Sequence, residues 1–298
     1  RALGLSEIPP MSINELQWNQ ADISNCLDQM NQGMIALIAF NSNKRPKIIG
    51  TAYIVAAYKS YALAITAAHN FAGIRSAQTP NSNHHFSALP EFLGDMQSIN
   101  LDRTRVRAIC HDSKGTEVAP ISWAAWDKKS DIGIFLITTQ DCGNNFFNSF
   151  FSISSPSLSV GDEVALLGYA DMQLKEKSRN TKGIQRFIMQ KQLLFRSGKI
   201  TKLHTDGHIL CRGKCIETSI PVFSGMSGGP VFKMDNSGKP IMPFGVISSD
   251  QEADVSIKNN LTKAGASIIA LLDSKVNTIN KGVRKFSLDL NSPYIQKQ

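Results

Sequence analysis

A histidine, an aspartate and a serine are the residues of this chain best suited to catalysis. His69 ends an apolar run, Asp131 opens another, and Ser227 lies in the run Gly-Met-Ser-Gly-Gly-Pro. A serine hydroxyl is a weak nucleophile unless an imidazole takes its proton. The imidazole in turn needs a carboxylate that holds its tautomer and stabilises its cation. These residue types together predict acyl transfer by a serine nucleophile.

Glycines around the serine suit the second requirement of this chemistry, which is binding of the oxyanion that forms from the attacked carbonyl. Two backbone N–H groups, those of Gly225 and Ser227, are the candidates. Glycine before the serine lets the backbone turn without steric cost, and Gly228 and Gly229 allow close approach of a neighbouring chain.

Short apolar stretches separated by turn residues must position these side chains. Their spacing, with many Ile, Val, Phe and Tyr, is typical of an all-β sandwich or barrel. The predicted strands are residues 34–40, 48–57, 61–67, 106–110, 131–137, 163–167, 186–194, 198–203, 208–211, 216–220, 230–233 and 244–248. Thr205-Asp206-Gly207 predicts a hairpin turn. Residues 76–100 suggest a surface loop, and residues 261–273 fit either a strand or a helix.

In these three motifs the sequence resembles the trypsin-like (chymotrypsin-fold) serine peptidases, whose motifs occur in the order His, Asp, Ser. Here they read Thr-Ala-Ala-His at 66–69, Asp-Ile-Gly-Ile at 131–134 and Gly-Met-Ser-Gly-Gly-Pro at 225–230. Residues 160–169 are similar to the opening of the second barrel in Deg/HtrA-type proteases and glutamyl endopeptidases. Residues 245–248 are similar to a strand of the specificity pocket. The resemblance covers roughly residues 34–272.

This resemblance implies an all-β fold of two six-stranded antiparallel β-barrels, packed face to face with the active site in the cleft, and short N- and C-terminal extensions. The implied division of the chain is a helical N-terminal extension (1–33), a barrel with His69 and Asp131 (34–140), a linker (141–157), a barrel with Ser227 (158–275) and a C-terminal tail (276–298).

The resemblance also assigns roles. It makes Ser227 the nucleophile, His69 the general base and Asp131 the residue that orients it, with Ser248 near Asp131. The implied substrate-binding residues are Pro221, Val222, Ser248, Ser249 and Asp250.

The same alignment bears on specificity and activation. Pro221 and Val222 give the pocket an apolar base, so we expect cleavage after small or medium apolar residues. Ile247 replaces the histidine of glutamyl endopeptidases, whereas Asp250 leaves a basic preference open. Met226 cannot pair with an ammonium group, so activity is expected not to depend on a freed N-terminus.

Other interpretations of these residues stay open. Asp95, Asp102 and Asp112 are rival third members of the triad, although none precedes so apolar a strand. His204, His208, Cys211 and Cys215 could hold zinc, but solvent-facing hairpin residues or a short Cys211–Cys215 link are the favoured interpretation. We therefore expect no metal and no cofactor.

The partner expected from these assignments is a polypeptide. Residues 174–202 hold nine Lys and Arg residues and one Glu, which suits a nucleic-acid or anionic surface. A solvated loop and hairpin is the favoured interpretation, because no aromatic stacking pattern interleaves with the charges. The rival functions are a non-catalytic binding module on the same scaffold and an esterase.

Composition sets the outer limits. The chain has 298 residues, a net charge of +8, 42% hydrophobic and 19% charged residues, which excludes a disordered or fibrous protein. Its apolar runs are shorter than the ~18 residues of a membrane helix, so no membrane span is expected. Five cysteines are no disulfide framework. Because the chain starts at Arg1, we expect further upstream residues, such as a leader; the compartment stays open.

Overall fold

The structure is a computed structural model in which thirteen strands and one 3-10 helix are placed. It describes residues 30–40, 45–58, 60–71, 96–112, 115–140, 142, 147–179, 185–248, 267–273, 275–277 and 279–280. Parts of three predicted features lie outside these residues: residues 1–29 of the helical extension expected at 1–33, residues 76–95 of the loop expected at 76–100, and residues 281–298 of the tail expected at 276–298.

The first barrel contains the strands that precede the linker. They are β1 (Met34–Phe40), β2 (Pro46–Ala57), β3 (Tyr61–Ala67), β4 (Gln97–Asn100), β5 (Val106–Asp112), β6 (Gly115–Asp127) and β7 (Ile132–Thr138). Six of them close in the order β6-β5-β1-β2-β3-β7, because β7 pairs back with β6. The short strand β4 pairs with β6 outside this ring. All of these pairings are antiparallel.

The second barrel is closed by six antiparallel strands. They are β8 (Glu163–Arg179), β9 (Gln185–His204), β10 (Cys215–Thr218), β11 (Pro230–Met234), β12 (Pro240–Ile247) and β13 (Ser267–Leu271). The ring order is β10-β13-β12-β11-β8-β9. The prediction of two six-stranded antiparallel barrels is therefore confirmed.

Alternation of side chains along the strands divides the core into three apolar clusters. In β1, Ile35 and Leu37 pack inside the first barrel, whereas Met34 and Ala36 belong to a cluster that also contains residues of the second barrel, such as Leu167. A separate cluster fills the second barrel. Every residue of β7 is buried, which is why its sequence is continuously apolar rather than alternating. Ile132, Ile134 and Leu136 of β7 belong to the cluster shared by both barrels, whereas Phe135 and Ile137 pack inside the first barrel.

Two strands of the first barrel were not predicted. β6 is 13 residues long, yet Pro120 and several alanines lower the strand signal of its sequence. Pro120 has no N–H to donate to the sheet, but β6 continues past it, where it lies opposite Arg107 of β5. The expected surface loop at 76–100 is wrong at its end, because residues 97–100 form β4.

Strand lengths in the second barrel also differ from the prediction. β8 continues twelve residues beyond the predicted end at 167, and the two predicted strands at 186–194 and 198–203 are one strand, β9. Gly198 lies within β9 and does not end it. A side chain at this position would collide with Ile220 and Ser219, so the glycine allows these residues to approach the strand closely. The predicted strand at 208–211 is wrong: these residues form a tight turn closed by two backbone hydrogen bonds between His208 and Cys211. Residues 267–271 settle the open question at 261–273 in favour of a strand. In the part of the chain that the structure describes, helices of membrane-spanning length and apolarity do not occur.

Strand β9 carries Lys191, a half-buried residue whose amino nitrogen is fully buried. The Nζ of Lys191 is 3.6 Å from the centre of the Tyr169 ring, and it has no hydrogen-bond acceptor among the described residues. The Tyr169 hydroxyl donates to Asn31 Oδ1 at 2.7 Å. Burial lowers the pKa of Lys191 to about 7. Lys191 therefore does not belong to a solvated basic surface, although the sequence of residues 174–202 suggests such a surface for all of its basic residues.

Stability is expected to rise with pH through the titration of Lys191. Between pH 7 and about 10 the unfolded chain holds a proton on this amine that the folded chain lacks, so the free energy of unfolding increases with pH there and levels off below pH 7. Lys191→Met should remove this slope and raise the free energy of unfolding at pH 7 by about 2 to 4 kcal/mol. Urea titrations from pH 6 to 10 measure it. Lys199→Met, at an exposed position of the same strand, should keep the wild-type slope.

Candidate active site

The pairing of β3 with β7 brings His69 and Asp131 together although 62 residues separate them. The two strands are antiparallel, with Ala67 opposite Ile132. The end of β3 therefore lies beside the start of β7. His69 follows β3 in the 3-10 helix Ala68–Phe71, and the Ala68 N–H donates to the Asp131 carbonyl at 3.0 Å.

The Asp131 carboxylate is buried and accepts hydrogen bonds from three donors. Its Oδ2 lies 2.9 Å from His69 Nδ1 and accepts from the Ser248 hydroxyl at 2.6 Å. Its Oδ1 accepts from the backbone N–H of His69 at 2.9 Å. The side chain of Asp131 is 8% exposed and that of His69 is 26% exposed. A carboxylate accepts only, so Nδ1 carries the proton and Nε2 is left as the basic nitrogen of a neutral imidazole.

A tight turn presents this carboxylate. Asp131 has φ +53°, a left-handed conformation that aspartate tolerates better than most residues. The preceding Ser130 donates its hydroxyl to Asp127 Oδ2 at 2.8 Å, and Lys275 Nζ lies 3.3 Å from the same oxygen. These contacts fix the turn from both barrels, since Lys275 follows the last strand of the second one.

Ser227 lies on a glycine turn between β10 and β11. Gly228 has φ +92°, and its N–H donates to the Ile247 carbonyl of β12 at 2.8 Å. The Ile247 N–H returns a hydrogen bond to the Gly229 carbonyl at 2.9 Å. The turn is thus held against the wall of its own barrel immediately after the serine.

The first barrel binds the same turn from the other side. The carbonyl of Ser227 accepts from the Thr51 N–H at 2.8 Å and from the Asn70 amide at 3.1 Å. Asn70 also donates to Thr66 Oγ1 at 2.8 Å, and Thr66 donates to the Thr51 carbonyl at 2.7 Å. Since Asn70 directly follows His69, this contact brings the backbone of Ser227 against the helix that carries His69.

Thr51 makes a second contact between the barrels. Its hydroxyl donates to the Gly225 carbonyl at 2.6 Å and accepts from the Tyr169 N–H at 3.0 Å. Both Thr51 and Thr66 are completely buried. Sequence reasoning missed Thr51, Thr66 and Asn70 as positioning residues. Thr66 and Asn70 flank His69 closely enough to be suspected, whereas nothing around Thr51 distinguishes it from an ordinary strand threonine.

The residues before the serine have the conformation expected of a tight loop. Gly225 has φ +94°, which favours glycine. A side chain there would meet Met172 and the Tyr169 carbonyl at 2.9 Å each. Met226 is fully buried in the core of the second barrel.

The residues expected around a specificity pocket are placed as follows. Ser248 is buried and bonded to Asp131. Pro221 is exposed, and Val222 is half-buried against the core of the second barrel. Ser249 and Asp250 lie outside the described residues. Next to Val222, the Arg196 guanidinium stacks on Phe223 at 4.4 Å, a contact that the sequence did not indicate.

Asp102 is the one rival aspartate whose side chain the structure describes, and its partners are residues of its own turn. Asp102 accepts from the N–H and hydroxyl of Thr104, each at 2.8 Å. The backbone hydrogen bond from Thr104 is the main cause that holds the pKa of Asp102 below its ordinary value. Asp95 is outside the described residues, as is the side chain of Asp112.

The possible zinc ligands lie close together but do not converge. His204 Nε2 is 3.3 Å from Glu217 Oε2, and His208 Nδ1 accepts from the Leu210 N–H at 3.2 Å. Among the described residues, no group of three or more His, Cys, Asp or Glu side chains has the arrangement of a metal site. Cys211 and Cys215 are each 1% exposed. The expectation of solvent-facing cysteines is wrong, because Cys211 packs against the Ser130 carbonyl of the first barrel and Cys215 is a buried residue of strand β10.

Two closed antiparallel barrels, with a histidine–aspartate pair on one and a serine turn of the other held beside it, define the chymotrypsin fold of serine proteases. No protein-family model matches the chain, and no curated protein does. The solved structures that are similar to this chain include the following three. The MamO protease domain of Magnetospirillum magneticum, in its apo form, has 11% identity and a TM-score of 0.46 over 84% of this chain and 97% of its own.

The other two are similarly distant. A thermostable serine protease, AL20, from an extremophilic microorganism has 10% identity and a TM-score of 0.47, over 87% of this chain and 99% of its own. The structure of GrC has 11% identity and a TM-score of 0.49, over 86% and 96%. Likeness at this level carries no information on substrate or mechanism.

Proposed function

We propose that the chain is a serine endopeptidase that hydrolyses peptide bonds through an acyl-enzyme. Ser227 is the nucleophile. His69 Nε2 takes its proton as the hydroxyl attacks the scissile carbonyl, and later gives it to the leaving amine. Asp131 holds the imidazole in the required tautomer and stabilises the imidazolium. The backbone N–H groups of Gly225 and Ser227 bind the oxyanion.

One observation carries the proposal. A buried carboxylate is bonded to the imidazole of His69, and the backbone of Ser227 is bonded to the very next residue, Asn70. The helix that carries His69 and the turn that carries Ser227, one from each barrel, are therefore in contact. Serine, histidine and aspartate are residue types that cooperate in acyl transfer. A purely structural serine turn does not require a buried aspartate with three donors beside it.

Labelling with a fluorophosphonate probe tests this assignment. The probe forms a bond to an activated serine, so the wild-type protein should be labelled and Ser227→Ala should not be. Ser224→Ala is the matched control, because Ser224 is an exposed serine of the same turn, and it should be labelled like the wild type. Peptide mapping should place the label on residues 215–233.

The alternative function is a peptide- or nucleic-acid-binding module on the same scaffold without significant hydrolysis. A folded wild-type protein that takes no label would support that alternative and contradict the proposal. Labelling together with turnover of ester substrates but not of peptides would instead indicate an esterase.

For specificity, we propose a preference for small or medium apolar residues before the scissile bond. Val222 supports this, because it packs on the apolar core of the second barrel, and the buried Ile247 offers no positive charge to a glutamate. Met226 lies in the same core and supports activity without a freed N-terminus. Cleavage of a peptide library mainly after Arg or Lys would overturn the apolar preference.

A further inference from the structure

Asn31 precedes the first strand of the first barrel and connects the two barrels. Its side-chain amide donates to the His111 carbonyl of β5 at 3.3 Å, and its Oδ1 accepts from the Tyr169 hydroxyl of β8 at 2.7 Å. The chain next to Asn31 is also fixed to the first barrel, because the Gly33 carbonyl accepts from the Ile54 N–H of β2 at 2.8 Å. Asn31 is therefore a fixed point to which a residue of the second barrel is bonded.

Tyr169 is held at both of its ends. Its side chain is buried, and the amino nitrogen of Lys191 lies 3.6 Å from the centre of its ring. The hydroxyl at one end is bonded to Asn31. At the other end, the backbone N–H of Tyr169 donates to the Thr51 hydroxyl at 3.0 Å. Close-packed interiors transmit displacements, so a shift of the hydroxyl moves the backbone of Tyr169 as well.

The backbone of Tyr169 holds Gly225 by two routes. The Thr51 hydroxyl that accepts from the Tyr169 N–H donates to the Gly225 carbonyl at 2.6 Å. The Tyr169 carbonyl itself lies 2.9 Å from the position that a Gly225 Cβ would have. Gly225 has φ +94°, and glycine adopts positive and negative φ about equally well. Contacts from outside the turn must therefore select its conformation, and Tyr169 supplies two of them.

We propose that Asn31 and the Tyr169 hydroxyl are positioning residues for oxyanion binding. They hold the Tyr169 backbone against Gly225 and thereby fix the direction of the Gly225 N–H. This inference rests on the proposed function, in which that N–H binds the oxyanion. The bonded groups lie at the end of the tyrosine side chain farthest from its backbone, so they act through Tyr169 and not by contact with the substrate.

Tyr169→Phe tests the proposal, because it keeps the ring and removes only the hydroxyl. We expect kcat to fall about 10-fold with KM nearly unchanged, since a displaced donor weakens an interaction that forms only in the transition state. Complete loss of an oxyanion donor costs about 10²- to 10³-fold, so a shifted donor should cost less. Asn31→Ala removes the acceptor of the same hydrogen bond and should have the same effect. Steady-state kinetics on a peptide substrate measure both variants.

A pair of inhibitors separates this role from a structural one. A peptide aldehyde forms a hemiacetal with the serine, whose oxygen occupies the oxyanion site, whereas the matching peptide alcohol cannot. In both variants the Ki of the aldehyde should rise by about the factor that kcat/KM falls, and the Ki of the alcohol should stay at the wild-type value. An equal rise of both Ki values, or a wild-type kcat in the two variants, overturns the proposal. Urea titration shows beforehand that each variant is folded.

Two further variants complete the comparison. Ser149→Ala is the matched control, because it removes the hydrogen bond of 3.0 Å from Ser149 to Gln32 Oε1, beside Asn31, and leaves the bond to Tyr169 intact. It should keep the wild-type kcat and both Ki values. The double variant Asn31→Ala with Tyr169→Phe should lose no more kcat than Asn31→Ala alone, because both changes remove one shared bond. Losses that multiply overturn the proposal.

If the folded wild type shows neither turnover nor probe labelling, the proposed function fails separately. Amide hydrogen exchange of residues 223–229 then decides the inference on its own. Faster exchange in Tyr169→Phe than in Ser149→Ala supports the link from Asn31 to the glycine turn, and equal exchange overturns it.

Discussion

Replacement of Asp131 by asparagine is expected to lower kcat about 10⁴-fold with little change in KM. The change is nearly isosteric, so the loss comes from hydrogen bonding rather than packing. Asp131 accepts from three donors: Nδ1 of His69, the backbone N–H of His69 and the hydroxyl of Ser248. An amide offers one acceptor oxygen in place of two.

Either orientation of the new amide is unfavourable. With its NH₂ toward His69 Nδ1, the amide donates to that nitrogen, so the proton moves to Nε2 and the imidazole can no longer take a proton from Ser227. With its NH₂ toward the His69 backbone, two N–H donors face each other in a buried site, which costs about 1 to 3 kcal/mol. The first orientation removes the general base, and the second loosens the Asp131 turn.

Steady-state kinetics on a peptide substrate measure this effect, with two comparisons. Ser248→Ala keeps the carboxylate charge and the bond to His69, and should reduce kcat far less than Asp131→Asn. Asp102→Asn changes an aspartate whose partners are its sequence neighbours Thr104 and Arg105, and should leave kcat unchanged. Comparable losses in Asp102→Asn and Asp131→Asn would contradict the assigned role of Asp131.

The sequence indicates candidate reactive residues, but it does not indicate the residues that hold them in place. His69, Asp131 and Ser227 stand in short motifs whose residue types have few other uses in combination. The contribution of Thr51 depends on Gly225, 174 residues away, and a threonine within a strand is too common to indicate such a contact. Local sequence shows which groups can react, whereas the contacts between distant segments that position them are visible only in the fold.

The errors in secondary structure have the same origin. Pro120 lowers the strand signal of β6, but pairing with β5 and β7 on both sides overrides that local preference. Residues 208–211 have an apolar run typical of a strand, yet they form a turn, because Cys211 packs beneath the Asp131 turn. In both places tertiary contacts outweigh local propensity.

The contact between the two barrels at the site explains why residue 228 is a glycine. Thr51, Thr66 and Asn70 of the first barrel form a buried polar wall, and the turn after Ser227 lies directly on it. The wall can bond to the Ser227 carbonyl only if the next residue has no side chain. The close approach that places the serine is thus made possible by Gly228.

Gly228→Ala is therefore expected to lower the free energy of unfolding by more than about 3 kcal/mol and to reduce activity to background. The new Cβ would overlap the Thr51 carbonyl and Thr66 Oγ1, and it would lie 2.9 Å from the Asn70 amide. These atoms belong to backbone or to a bonded network, so they cannot move aside cheaply. The turn must shift, and Ser227 shifts with it.

Gly161→Ala is the matched control for this change. Gly161 has the same φ of +92° as Gly228, but a Cβ there meets nothing within 4 Å. It should therefore show the cost of the left-handed conformation alone, about 1 kcal/mol, with activity retained. Urea unfolding of both variants, together with probe labelling, separates strain in the backbone from the collision with the polar wall. Equal destabilisation of the two variants would mean that the wall gives way and that Ser227 is not positioned by this contact.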